Sequence, residues 1–428
     1  MSSLILPPGV RYSCIRCGAC CRTLEVLLTE AERERLAAHD WAAEVPGYSV
    51  QGFFARLRKA RGKLLWRLRP RRDGACPFLA EDNLCRVHAR LGYAAKPFAG
   101  RLFPFTFLVT PVGTFVGVRF SCPAVVRGEG RDLEEQRGEL RRLFDEYSRT
   151  YDPPQEPQQV RFLGRFKLAW RDVLRIEDQL IAFLLMPDLD LPRRVLACLG
   201  LVRQFVAQAV RGGAGERVGV DPNAAVAEAR GGGDGERLSR IERLMLRLGI
   251  AAFLGATPAS YRELALPSRI GVRMGNLWRR LKMAFGIGRV RLPGMERAVR
   301  LREVGSLGPA SLDAASTAML QRYLIAKVSS QGFFGGAFFR WSFAQGFEFL
   351  AMACVGILWL ASAHAVASGR RDIQAADIEY GIRQVDHGYN YLREFGGLAA
   401  RARSLLLWHW GTVGKALRGL CASSPSQG

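Results

Sequence analysis

Lysine is scarce in this chain. Only seven lysines stand among its 62 basic residues, and the rest are arginine, in a sequence also rich in alanine and glycine. That bias is the mark of a GC-rich coding sequence in which arginine stands in for lysine. The formal net charge of +23 is therefore discounted as a sign of nucleic-acid binding, and no recognisable nucleic-acid motif accompanies it. The opening MSSLILPPGVRYS lacks the charged start and long apolar stretch of a secretion signal, so a cytoplasmic, reducing location is the expectation. No internal repeat is present, and no glycine-rich phosphate loop follows a strand: Gly231-Gly232-Gly233 lies in a polar stretch instead. Histidine is also sparse. Of five, His39, His364, His387 and His409 have no ligand-like spacing and read as structural or surface residues.

What is present suits a globular protein: 428 residues, 49% hydrophobic and 24% charged. The expected fold is an α+β cysteine-rich N-terminal metal-binding domain followed by a mostly α-helical C-terminal region. The expected divisions are 1–150, a helical segment 151–210, a Gly-rich linker or mobile loop 211–237, and a helical domain 238–428. In the first part Leu24–Leu28 suggests a short strand. Thr29 and Glu32 have capping-box spacing for a helix to about Ala38. Leu102–Thr110 and Thr114–Phe120 read as a hairpin about Pro111-Val112-Gly113. Arg131–Tyr147 reads as an amphipathic helix. Asp152-Pro153-Pro154 marks a boundary. Beyond it, helices are expected over Phe162–Leu185, Arg193–Val210, Leu238–Leu254, Val272–Phe285, Leu312–Ser330, Trp341–Ala367, Ile373–Phe395 and Arg403–Leu417.

Two segments bear on partners. Gly52–Arg72 interleaves apolar residues with Arg and Lys, the pattern of a basic amphipathic arm or of a solvated helix packed on the core. Phe349–Ala367 is an apolar run long enough to cross a bilayer. Its Ala and Gly content, with Glu348 and His364 at its ends, favours a buried core helix over a membrane anchor.

The chemistry lies in cysteine. Cys14, Cys17, Cys20 and Cys21 fall within eight residues. Thiols packed this closely in a reducing compartment point to a metal rather than to disulfides. Cys14-x2-Cys17-x2-Cys20 repeats the first three positions of the bacterial ferredoxin run that wraps a cubane 4Fe–4S cluster, with the fourth ligand from elsewhere. Cys76 and Cys122 each precede a proline, as does the remote ferredoxin ligand, and Cys85 is a third candidate. Adjacent Cys20 and Cys21 do not both suit one iron, so one serves a second metal or stays free. Zinc competes: Cys85-x2-His88 is a zinc spacing with Cys76 close by. Cys198, Cys354 and Cys421 are isolated and read as packing residues.

In RYSCIRCGACC (Arg11–Cys21), GACPFLAEDNLCRVH (Gly74–His88) and KPFAGRLFPF (Lys96–Phe105) the chain resembles the bacterial CxxCxxCC cysteine-cluster proteins, described as zinc- or iron-chelating, which include flagellin lysine-N-methylases. The resemblance covers about the first 125 residues. It implies an iron–sulfur or zinc protein with a role in protein-lysine methylation or redox chemistry. It also implies a protein substrate or redox partner and, for methyl transfer, S-adenosylmethionine. Two features depart from that picture. The family's Arg-Pro-x-x-Cys-Arg segment reads Lys96-Pro97-Phe98-Ala99-Gly100-Arg101, so Gly100 stands where a thiol is expected, and His88 becomes a candidate replacement ligand. The radical methyl-donor spacing CxxxCxxC is also absent, because Leu24 follows Cys17 and Cys21 where the third cysteine would fall.

Overall fold

The computed structural model describes residues 3–45, 47, 49–56, 65–71, 73–211, 220–231, 237–254, 269–304, 312–391 and 396–421. Strands are confined to the first part and to short pairs, and the C-terminal region is helical. The elements run β1 (Leu4–Ile5), β2 (Arg11–Tyr12), α1 (Ala19–Thr23), β3 (Leu27–Thr29), α2 (Glu30–Ala37), α3 (Val50–Phe53), β4 (Phe54–Arg56), β5 (Leu65–Leu68), α4 (Arg86–Leu91) and α5 (Phe98–Leu102). There follow β6 (Phe105–Thr110), β7 (Gly113–Val118), α6 (Pro123–Arg127), β8 (Arg131–Asp132), α7 (Arg137–Thr150), β9 (Gln159–Leu163) and β10 (Phe166–Ala169). The helical part comprises α8 (Trp170–Leu184), α9 (Leu191–Arg211), α10 (Pro222–Arg230), α11 (Arg240–Phe253), α12 (Arg269–Phe285), β11 (Arg289–Val290), β12 (Val299–Arg300), α13 (Leu301–Val304), α14 (Ala314–Ser329), α15 (Phe343–Ala367), α16 (Ala375–Tyr391), α17 (Leu398–Trp410) and α18 (Thr412–Arg418).

The Thr29 side chain caps α2 and Glu32 returns the bond, as the spacing predicts. The hairpin forms between β6 and β7, with β1 added parallel to β7. Leu102 belongs instead to α5, and the strand starts after a cis Phe103–Pro104 bond. Other expectations are corrected. Arg131–Asp132 is a strand paired with Arg11–Tyr12, so the helix starts six residues late, at Arg137. Residues 159–169 form a hairpin before α8, because Val160 and Phe162 alternate with exposed Gln159 and Arg161, a strand's period. The expected last helix is two, parted at Gly411.

The Gly52–Arg72 segment is also corrected. Its described ends, β4 and β5, are strands in a sheet of order β3-β5-β4 rather than a helix, and residues 57–64 and 72 lie outside the described residues. Within the expected Gly-rich linker, α10 buries Ala225, Val226 and Ala229, while residues 212–219 and 232–236 lie outside the description, Gly232 and Gly233 among them.

Two hydrophobic cores result. The smaller holds Leu28, Leu36, Trp41, Phe54, Leu68, Phe78 and Val87. The larger runs from the β6–β7 hairpin through the helices to Leu417. Its centre is α15, which packs on α16, α9, α17 and α18. The apolar run Phe349–Ala367 lies in that helix, and 78% of its most apolar window is buried inside the protein.

Candidate metal centre

The CIRCGACC loop lies on the seam between the two cores. Cys76 and Cys85 pack against the small core, and Cys122 belongs to the large one. On the large-core side, the Ser13 amide donates to the Glu129 carbonyl (3.0 Å) and the Arg131 amide donates to Ser13 Oγ (3.3 Å). On the small-core side, the Cys76 amide donates to the Cys21 carbonyl (2.6 Å) and Arg22 Nη2 donates to Asn83 Oδ1 (2.7 Å). Gly18 turns the loop at φ +65°. A Cβ there would come within 2.4 Å of Arg22 Nη1 and 2.9 Å of Asn83 Oδ1, so glycine serves both the turn and the docking of the two loops.

Local structure presents each thiol. Cys14 and Cys17 are exposed on the loop, while Cys20 and Cys21 lie half-buried on α1. The Ala80–Leu84 turn folds the chain back so that Cys85 bridges to Leu79, bringing it near Cys76. Cys85 and Cys122 are the N-cap residues of α4 and α6.

The electrostatics define two overlapping groups. Tyr12 is half-buried, and its hydroxyl is hydrogen-bonded to Cys14. Burial, followed by the nearby Cys14, Cys122 and Cys20, raises its hydroxyl above the usual tyrosine range. Cys122 is pushed up to about 12, chiefly by burial, with Cys20 and Cys17 adding to the rise. The first group is thus Cys14, Cys17, Cys20 and Cys122. Cys76 is likewise pushed up to about 12 by burial, with Cys85 and Cys20 adding. Cys21 is raised by its hydrogen bond to Cys20 and by burial, with Cys76 and Cys85 also acting on it. The second group is Cys20, Cys21, Cys76 and Cys85.

Cys20 is common to both groups. Its sulfur lies 3.9 Å from that of Cys21, whose hydrogen bond, with help from the Lys96 charge, lowers the Cys20 thiol toward the thiolate. Among the described residues no three His, Cys, Asp or Glu side chains stand at metal-ligand spacing. The thiols are neighbours about a common region, and an all-sulfur donor set of this kind fits zinc or iron–sulfur chemistry.

His88 is placed differently. It is exposed on α4, with its ring edge against Tyr93 at 5.6 Å between centroids. The position opposite the missing thiol, Gly100, is spanned by the Lys96 side chain, whose Cε would lie 3.1 Å from a Cβ at residue 100. Tyr12 and Lys96 are site residues that spacing rules miss, since neither is a conventional ligand. Their only sequence signal is adjacency to the cysteine motifs.

Of the isolated residues, Cys198 and Cys354 are fully buried in the large core, and Cys421 donates to the Leu417 carbonyl. His364 has a partner that the sequence did not suggest: its Nδ1 lies 2.5 Å from Asp377 Oδ1. Outside the thiol region, an open cleft of about 1610 Å³ is lined by Tyr147, Tyr151, Glu156, Arg161, Arg340 and Trp341, among others.

The structure thus joins a cysteine-rich α/β segment with clustered thiols to a helical body. Residues 13–123 match the CxxCxxCC family model, described as "Putative zinc- or iron-chelating domain". An uncharacterised protein of Methanocaldococcus jannaschii is 27% identical over 124 residues, which is 28% of this chain. The chain spans 39% of that protein's length. No solved structure matches the chain.

Proposed function

We propose that this protein binds a 4Fe–4S cluster through Cys14, Cys17, Cys20 and Cys122, with Cys21, Cys76 and Cys85 flanking it. The observation that carries this reading is the joint action of Cys14, Cys20 and Cys122 on Tyr12, and of Cys17 and Cys20 on Cys122. These are the three ferredoxin-spaced thiols and one proline-followed remote thiol. The cluster would supply redox or methyl-transfer chemistry when bound. Lys96 would offset thiolate charge at Cys20, and Tyr12 would donate to the Cys14 sulfur. The cleft beside Tyr151 and Trp341 is the place offered to a protein substrate or redox partner in the cytoplasm.

Anaerobic purification tests the reading. The expected result is broad visible absorption that bleaches on reduction, with iron and acid-labile sulfide, all sharply reduced by Cys122→Ser. Colourless protein with stoichiometric zinc would refute it. The second thiol group supports zinc as the other reading: Cys20, Cys21, Cys76 and Cys85 supply the four thiolates of a structural site. In that case Cys76→Ser and Cys85→Ser, rather than Cys122→Ser, lose the metal.

A further inference from the structure

Amphipathic helices of globular proteins turn their apolar face inward. The helix α12 (Arg269–Phe285) does the reverse. Met274, Leu277, Trp278, Leu281 and Phe285 recur at helical spacing along one stripe, and each is between 36% and 62% exposed. Ile287, just beyond the helix, prolongs the stripe at 54% exposed. The side that meets the body is narrow: Met283 and Ala284 are buried, and the helix packs on α11.

The charged residues of this helix have one sign. The helix sequence RIGVRMGNLWRRLKMAF carries five basic residues and no acidic one. Lys282 Nζ lies 5.7 Å from the centre of the Trp278 ring. Exposed Arg289 and Arg291 continue the basic border. An apolar stripe containing Trp and Phe, edged by Lys and Arg without acids, suits the boundary of an anionic bilayer. The apolar side chains enter the acyl region there, and the cations meet lipid phosphates. A positive border would repel a second copy of the same face, and it complements an anionic surface.

We propose that α12 is a peripheral membrane-binding helix that seats the protein on an anionic lipid surface through Met274, Leu277, Trp278, Leu281 and Phe285. This surface is separate from the buried α15 and independent of the metal reading. The test is co-sedimentation of the full chain with vesicles of phosphatidylglycerol and phosphatidylcholine, and with vesicles of phosphatidylcholine alone. The protein is expected to pellet with the anionic vesicles, to be released by salt, and to stay in solution with the neutral ones. Leu277→Ser with Leu281→Ser should weaken binding about tenfold or more, with metal content and circular dichroism unchanged.

Wild-type protein left in the supernatant with anionic vesicles overturns the proposal, and that measurement needs no variant. So does equal binding by the double variant, which would place the contact elsewhere. A wild-type dimer that becomes monomeric in the double variant, without lipid binding, would assign the face to a second copy and also overturn it.

Discussion

The Cys20 sulfur is where the two thiol groups join. The Cys21 hydrogen bond and the Lys96 charge favour its thiolate. Cys20→Ser should therefore reduce bound metal under either metal reading, whereas Cys122→Ser and Cys76→Ser should separate them; metal and sulfide analysis of the three variants checks this. Another buried acid gives a prediction for pH. Glu348 is 2% exposed, neither carboxylate oxygen receives a hydrogen bond, and Arg203 stands 3.9 Å away. Burial raises its carboxyl from 4.5 to about 8. The folded state thus holds this proton more tightly than the unfolded chain does. Its contribution to stability is full below the unfolded value and is lost as pH rises through the folded one. Glu348→Gln should raise the melting temperature at about pH 9 and change it little at about pH 5, as thermal unfolding at the two values would show.

At the scale of elements, local rules succeeded where the partner was local. Thr29 and Glu32 lie three residues apart, and the capping box forms as read. The structure adds that Glu32 Oε1 also accepts the Phe98 amide at 2.6 Å, tying α2 to the start of α5 beside Lys96. Glu32→Ala should cost about 2–3 kcal/mol, a lost cap plus an unpaired buried amide, while Glu32→Gln should cost less. Urea unfolding of the two variants checks this. Elements were misread over distant pairings and also over one local one, the Gln159–Ala169 hairpin. Arg131–Asp132 resembles the start of an amphipathic helix until Arg11–Tyr12 claims it as a strand. In the basic, aromatic Gly52–Arg72 stretch, β5 pairs with β4 inside the stretch and with β3 outside it. No short window of sequence contains Arg11–Tyr12 together with Arg131–Asp132, or β3 together with β5.

At the scale of the molecule, the helical body holds the thiol region from behind. Lys327 Nζ on α14 lies 2.6 Å from Asp386 Oδ1 on α16, and both side chains are buried. Asp386 Oδ2 accepts the amide of Ser121, the neighbour of Cys122 (2.9 Å). The Tyr389 ring lies 4.8 Å from Lys327 Nζ. Lys327→Met would leave an uncompensated carboxylate in the core and should cost about 3–5 kcal/mol. Adding Asp386→Leu should recover part of that loss, short of the share owed to the Ser121 amide, as chemical denaturation of the single and double variants would show. The pair connects the large core to a ligand candidate more than two hundred residues away in sequence.

Sequence alone determined the motif residues, their soft donor chemistry, the capping box, the hairpin and the long apolar helix, because each depends on neighbours within a turn or two of chain. Tertiary structure decided that Cys122 shares a region with Cys14, Cys17 and Cys20, and that Cys21 shares one with Cys76 and Cys85. It also decided that Lys96 spans the place left by Gly100 and that α12 turns its apolar stripe outward. Those outcomes depend on which surfaces the two cores leave facing one another, and that is fixed only when distant segments have packed.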